Sequence, residues 1–350
     1  MLRKGQKLHF LLTQLETIKS NNMSQTDAHE PNYTSWYNPQ KSCFYYQLSA
    51  FDTIVLFATR IDNSLSEVEK SSRIQAALQS FHKGYSLCKA FHYKLSAFES
   101  CSELSRIHNG SPAAVEISSE TYQILEAGLY YSALSGGNFD ISIGGLSKLW
   151  HWKEGAVPLS EQIAEALQHV NYRALKLFHT RAHYYAQLQN SKARLDLGGI
   201  AKGYIADALH DLFVAEGVDE FLINLGGTLR THVSNSEPWV CGIAHPQADK
   251  EPLALIELAN AALVSSGIYE RGFWHNEHWY HHIISPQTGY PASVNHAGVS
   301  ILAQSALVAE GLSTSFLMLD TQEVYTLALS IPEIHQVFFT TNEGELISLL

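Results

Sequence analysis

Residues 193–217, ARLDLGGIAKGYIADALHDLFVAEG, decide how the chain is read. A short strand is predicted over 193–197, followed by two glycines. Ala201, Ile205, Ala208 and Leu212 then recur at helical spacing, and Gly217 stops the helix. Strand, Gly-Gly, helix is a general anion-binding device. The glycines let the backbone approach a ligand closely, and the free N–H groups at the helix start point towards it. The spelling D-L-G-G-I-A-K-G is neither G-x-x-x-x-G-K-[ST] nor G-x-G-x-x-G. A nucleoside-triphosphate loop and a dinucleotide fingerprint are therefore both disfavoured. The segment sets a carboxylate, Asp196, and an ammonium, Lys202, beside the glycines. A tight turn with a surface ion pair is the plainer reading of the same residues.

Outward from this stretch, strand and helix signals are interspersed without strict alternation. CFYYQLSAFDTIVLFATRI (43–61) reads as strand, in the form of a hairpin. Residues 64–95 carry Ile74, Leu78, Phe81 and Tyr85 at helical spacing. A short strand precedes a helix that Ser118 caps and that Gly136 and Gly137 end. Residues 160–185 read as a helix followed by an aromatic strand. FLINLGG (221–227) is a buried strand, GVSILA (298–303) another, SALVAEGLSTSFLMLD (305–320) a helix, and 335–350 a closing hairpin. This pattern predicts an α+β fold of mixed sheets flanked by helices.

The chain has 350 residues, 45% hydrophobic, with a formal net charge of −11. That is enough for one large domain. The acidic balance argues against nucleic-acid or anionic-membrane binding. No run approaches the roughly 18 apolar residues of a transmembrane helix. The basic start contains only LHFLL as an apolar piece and no small-residue cleavage site. Residues 1–40 are expected to be a polar, poorly ordered extension before a domain at 41–350, with Met23 a second candidate start. Cys43, Cys88, Cys101 and Cys241 are widely spaced and fit reduced thiols in a cytoplasmic protein.

Two further groups bear on chemistry. Glu310 and Thr314 lie four apart and share a helix face. A carboxylate beside a hydroxyl suits a hard cation such as Mg²⁺, although a solvated helix face is the commoner meaning. HNEHWYHHIISPQTGYP (275–291) holds His275, His278, His281 and His282. Its aromatic content predicts a strand, with His278 and His282 on one face and His281 opposite. A histidine metal triad is then disfavoured, and one histidine is expected to do chemistry while the others are incidental polar positions.

Taken together, these segments resemble the ApbE-type FAD:protein FMN transferases. SAFESCSELSRIHNG (96–110), SGGNFDISIGGL (135–146), LDLGGIAKGYIAD (195–207), INLGG (223–227), PWVCGIAHP (238–246), SSGIYER (265–271), YHHIISPQTGYP (280–291) and AEGLSTSF (309–316) follow the family's motifs in order, from about residue 44 to the C-terminus. The resemblance implies an enzyme that splits the pyrophosphate of FAD, attaches FMN to a Thr or Ser of an acceptor flavoprotein subunit or domain, and releases AMP. It implies that Phe98, Asn138, Phe139, Asp140, Asp196, Lys202 and Ile284 hold FAD. It further implies that the Gly199 carbonyl, Glu310 and Thr314 hold Mg²⁺, and that His282 is the base on the acceptor hydroxyl. Four positions depart from the family's pattern. Its M-G-T is Leu48, Ser49 and Ala50, its stacking Tyr is Phe98, its Asp before Pro286 is Ser285, and its metal Asp is Glu310. These departures keep two rival readings open: a flavin binder without transfer, and an FAD pyrophosphatase.

Overall fold

A computed structural model describes residues 33–97, 99–247 and 249–350. It opens with β1 (Tyr33–Asn38), β2 (Cys43–Ala50) and β3 (Thr53–Arg60). Next come α1 (Glu67–Leu95), α2 (Glu103–Gly110), β4 (Ala114–Ile117), α3 (Ser119–Leu134), α4 (Gly144–Ser147) and α5 (Ser160–Leu167). A hairpin, β5 (Leu175–His179) and β6 (Tyr184–Leu188), leads to α6 (Ala201–Ala215). The chain continues with β7 (Glu220–Leu225), β8 (Thr228–Val233), β9 (Trp239–Ile243), β10 (Ala254–Leu258), β11 (Ala262–Gly267), β12 (Gly272–His275), β13 (His278–His281) and β14 (Gly298–Ala303). It closes with α7 (Ala306–Met318), α8 (Thr321–Leu329), β15 (Ile334–Thr340) and β16 (Leu346–Ser348).

The fold is α+β. Nine strands form one sheet in the order β1-β2-β3-β7-β8-β11-β14-β15-β16, every neighbouring pair antiparallel. Residues 33–38, expected within the polar extension, are instead its first strand: Tyr33 pairs with Leu48 and its ring stacks on Tyr46 at 4.6 Å. The rest of that extension, including Met23, lies outside the described residues. The 160–185 segment yields two strands rather than one, because β6 pairs with β4 as well as with β5. Among the described residues no helix is long and apolar enough to cross a membrane.

Side-chain alternation explains why the central strands are apolar on both faces. Phe44, Tyr46, Val55 and Phe57 point to one side, where Phe81 and Cys88 of α1, Ile205 and Phe213 of α6, and Leu312 and Phe316 of α7 cover them. Tyr45, Leu56, Ala58 and Leu263 point to the other side, where the β9–β10 ribbon adds Trp239, Cys241, Ile243 and Leu258. Phe57, Phe81 and Phe213 meet at centroid distances of 5.1–5.5 Å. Fully burying a side chain of this kind contributes about 1.5–3 kcal/mol.

The Ser118 cap is as expected, and two further serine caps accompany it. Ser66 and Glu69 form a capping box on α1, Ser118 caps α3, and Ser305 accepts from the Val308 N–H at the start of α7. Gly217 ends α6 at φ +74°, a left-handed conformation natural to glycine. The main sheet thus presents α6 and α7 side by side over β8, β11 and β14, and the candidate site is built where these two helices begin and touch.

Candidate functional site

The segment predicted as a strand at 193–197 is not one. It makes a single bridge, Arg194 with Ile143, to the loop before α4. Gly144 N–H donates to the Arg194 carbonyl at 2.9 Å and Asp196 N–H to the Ile141 carbonyl at 2.8 Å. That loop turns into α4 at once, so there is no partner strand on which a ladder could grow. The Leu195 N–H is instead taken by His108 Nε2 at 2.9 Å. The D-L-G-G turn is therefore pinned from both sides. Asp196 Oδ1 accepts the Gly198 N–H at 2.9 Å, closing an Asx-type turn over the glycines. Gly199 is required there, since a Cβ would come within 2.9 Å of Phe139 Cε2. Ile200, the N-cap residue of α6, offers no side-chain cap; the Ala201 N–H donates to the Leu197 carbonyl at 2.9 Å, and the helix starts at the turn.

Helices α6 and α7 meet at Gly203. A Cβ there would lie 2.6 Å from the Ala306 carbonyl oxygen and 2.7 Å from Glu310 Cβ. This close approach puts Lys202 against Glu310. Lys202 Nζ donates to Glu310 Oε1 and, at 3.2 Å, to Thr228 Oγ1. The Thr228 hydroxyl in turn donates to Glu310 Oε2. Glu310 is only 4% exposed, so its charge is held by one ammonium and one hydroxyl inside the protein. One helical turn on, Thr314 Oγ1 stands 3.6 Å from where a Gly199 Cβ would project. Gly199, Glu310 and Thr314 thus share one corner, and their donors are all oxygen. That chemistry fits a hard cation. Among the described residues no group of three or more His, Cys, Asp or Glu is gathered for a metal. The corner holds one carboxylate, and a cation there needs water or phosphate oxygens to fill its shell.

The loop at 135–142 faces this corner. Asn138 donates to the Ser135 carbonyl at 3.0 Å, and Phe139 is buried against Gly199. Asp140 is bonded within the protein itself. Its Oδ1 accepts from Ser142 N–H and Oγ, and its Oδ2 from Tyr172 N–H, so both oxygens organise the loop. The Ile284 side chain is buried in a satellite core with Leu146, Trp150 and Ile163. Only its backbone is left to meet a ligand. The Ser285 hydroxyl accepts from the N–H groups of Gln287 and Thr288 at 3.2 and 3.3 Å. A hydroxyl here therefore caps the turn as a carboxylate could. Gln287 Nε2 then donates to the Gly137 carbonyl at 3.1 Å, joining the 285–289 loop to the 135–142 loop.

The four histidines divide three ways. β12 and β13 form a hairpin closed by Asn276 and Glu277, both at positive φ, as a two-residue turn of primed type requires. His275 and His278 face each other beside that turn and are exposed. His281 ends the strand and is only 6% exposed, with Nε2 on the Ala292 carbonyl at 3.2 Å and Nδ1 buried without a partner. It is a core residue rather than an incidental polar position. His282, the first residue past the strand, is half-buried. Its backbone N–H and its Nδ1 both meet the Arg271 carbonyl, at 3.1 and 3.2 Å. A carbonyl can only accept, so Nδ1 carries the proton and Nε2 keeps a lone pair. Burial lowers the His282 pKa to about 4; the Arg271 carbonyl works against this, while the Arg271, His281 and Lys202 charges add to it. The imidazole is neutral at ordinary pH.

Phe98 lies outside the described residues. Sequence reasoning missed Thr228, His108, Gln287 and Glu270. Thr228 lies one residue past the quoted INLGG, and His108 stands inside the quoted SAFESCSELSRIHNG without being singled out. Glu270 keeps contact with solvent, yet burial of its inner side raises its carboxyl pKa against the pull of Lys202 and Arg271, with Glu310 adding to the rise. A separate cleft lined by Arg60, Asp62, Arg73 and Glu220 contains none of these groups.

The chain matches the ApbE family model over residues 57–339. It is similar to the FAD:protein FMN transferase of Treponema pallidum (strain Nichols), 30% identical over 285 residues that cover 77% of this chain and 78% of that protein. The FAD:protein FMN transferase of Escherichia coli (strain K12) is 27% identical over 260 residues, 72% of this chain and 73% of that one. Among solved structures, the ApbE protein of Thermotoga maritima superposes with a TM-score of 0.71 at 28% identity, covering 87% of this chain and 96% of that one. The flavin transferase ApbE of Vibrio cholerae gives a TM-score of 0.70 at 21% identity, with the same coverage, and speaks for the fold alone.

Proposed function

Because the chain belongs to the ApbE family, we propose that it transfers FMN from FAD to a Thr or Ser hydroxyl of an acceptor protein, releases AMP, and depends on Mg²⁺. The observation that carries this reading is the state of His282: neutral, with Nδ1–H fixed on the Arg271 carbonyl and Nε2 free to accept a proton. Nε2 takes the proton of the acceptor hydroxyl as its oxygen attacks the phosphorus of the FMN half. The bond from that phosphorus to the bridging pyrophosphate oxygen breaks, and AMP leaves with the electron pair. The positive end of α6, which has no side-chain cap, and the Lys202 ammonium favour the negative charge of the pyrophosphate. Gly199, Glu310 and Thr314 are the residues that would hold the metal, and a bound Mg²⁺ supplies charge neutralisation on the phosphates. Ser285 supports transfer over mere flavin binding, since its turn is intact.

The test is purified protein with FAD, Mg²⁺ and an acceptor domain carrying a Thr or Ser target. Covalent yellow acceptor plus AMP is the expected result. Free FMN and AMP point to a pyrophosphatase, and neither product points to a flavin binder. Glu310→Ala and Thr314→Ala should each raise the Mg²⁺ concentration needed for half-maximal turnover, and an unchanged requirement in both removes them from the metal site.

The pH profile follows from His282. A base works in its neutral form, and a lowered pKa keeps that form to lower pH. kcat/KM, which reports the free enzyme, should hold from neutral pH down to about pH 5 and fall as pH drops through about 4. An acid limb centred at the ordinary histidine value of about 6.5 contradicts the buried, neutral imidazole. We place the protein in the cytoplasm. Its four cysteines are free thiols, which suits a reducing compartment, and recovery of the chain in a periplasmic fraction would count against this.

A further inference from the structure

The Lys202–Glu310 contact suggests more than a static ion pair, an inference that rests on the metal reading above. Glu310 is the one carboxylate in the Gly199–Glu310–Thr314 corner, and both its oxygens are taken: Oε1 by Lys202 Nζ and Oε2 by the Thr228 hydroxyl. A divalent cation that dehydrates reluctantly and demands near-ideal geometry needs at least one of those oxygens. An ammonium and a metal ion cannot both sit on the same carboxylate lone pair. We propose that Lys202 is a resident cation on Glu310, which the divalent ion must displace, so that loading the metal releases the Lys202 ammonium at the mouth of the D-L-G-G turn.

Three features support an exchange. Glu310 carries one methylene more than an aspartate, and it is buried where α6 and β8 supply its counter-groups. Gly203 lets the two helices approach until Lys202 reaches it. Lys202 itself is only half-buried and also lies within electrostatic reach of Glu270 and His282, so the released ammonium has an anionic neighbour on the solvent side. Two neighbours therefore hold Glu310 back from a metal by different means, one charged and one neutral.

The experiment is a Mn²⁺ titration of the full chain without FAD, following free Mn²⁺ by electron paramagnetic resonance. Lys202→Met should bind Mn²⁺ at least about fivefold more tightly than wild type, the low end of ordinary coupling between sites. Thr228→Val, which removes the neutral donor and no charge, should also tighten binding, by about twofold or more, the worth of a hydrogen bond. Circular dichroism spectra matching wild type establish that both variants are folded, and Thr228→Ala serves if the valine variant is not. If Lys202→Met gains and Thr228→Val does not, Lys202 acts through its field alone and the exchange is overturned. If neither gains, it is overturned as well. Glu310→Gln separates this from the metal reading: Mn²⁺ binding unchanged by that substitution means the ion does not use Glu310 at all, and both ideas fail together.

Discussion

His282→Ala is expected to bind FAD about as well as wild type and to transfer FMN about 10²–10⁴-fold more slowly, the usual loss when a general base is removed. On the proposed reading the Nε2 lone pair is the acceptor that the reaction needs, and no other imidazole of the cluster offers one at this place. His275 and His278 stand at the hairpin turn in solvent, and alanine at either should leave transfer within about tenfold of wild type, short of a general-base loss. His281 is the instructive control. It sits next to His282 but is buried on the Ala292 carbonyl. Its replacement by Ala leaves a cavity and an unpaired carbonyl, so it should lower stability by about 1–3 kcal/mol while the folded fraction stays active. Single-turnover flavinylation, with FAD affinity and chemical denaturation measured in parallel, separates the two neighbours. Full activity in His282→Ala, or loss of FAD binding as large as the loss of rate, would remove His282 from the role of base.

The contrast between these adjacent histidines also shows what the sequence could and could not reveal. Elements with local signals were legible: the Ser118 cap, the Gly217 stop and the hydrophobic spacing of α6 each act within one or two helical turns. The 193–197 segment has the composition of a strand, but a strand is defined by its partner, and the partner here is a loop that turns away after one bridge. Residue type placed Glu310 and Thr314 on one helix face; it could not place Lys202, 108 positions earlier, on the Glu310 carboxylate. Asp140 and Ile284 were legible as motif positions, while the directions of their side chains were decided by Tyr172 and by Leu146 and Trp150, residues remote in the chain. The sequence could place His282 at the strand-to-loop boundary where β13 ends; burial of His281 depended on the 291–292 segment folding back over it.

Asp207→Ala is expected to destabilise the protein by about 1.5–3 kcal/mol, the range for losing hydrogen bonds to a charged group, because the Asp207 side chain keeps 26% exposure. Asp207 lies on α6 one turn beyond Gly203 and holds the start of α7. Its carboxylate accepts from the Ser305 hydroxyl at 2.8 Å and from the Ala306 and Leu307 N–H groups at 3.0 and 2.9 Å, which are among the unsatisfied donors of a helix N-terminus. Its negative charge also opposes the positive end of the helix dipole. The same Oδ1 accepts from Arg230 Nε at 3.1 Å. Arg230 is 9% exposed, and its Nη1 is already buried without a partner. Burial lowers its pKa and Asp207 offsets that, so alanine at 207 strands a charge inside the protein. Asp207→Asn keeps an acceptor for the helix N–H groups and loses the charge, so it should fall between wild type and alanine. Adding Arg230→Met to Asp207→Ala should recover part of the loss, because the stranded charge goes with it. Urea denaturation of the four proteins measures this. The functional consequence follows from position: α7 carries Glu310 and Thr314, and a helix start released from α6 lets both shift against Gly199 and Lys202. The Mg²⁺ requirement of Asp207→Ala should therefore rise even at temperatures where the variant is fully folded. A loss below about 1 kcal/mol, the scale of an ordinary surface hydrogen bond, would mean that α7 is held by its apolar face alone and that Asp207 does not tie the two helices of the site together.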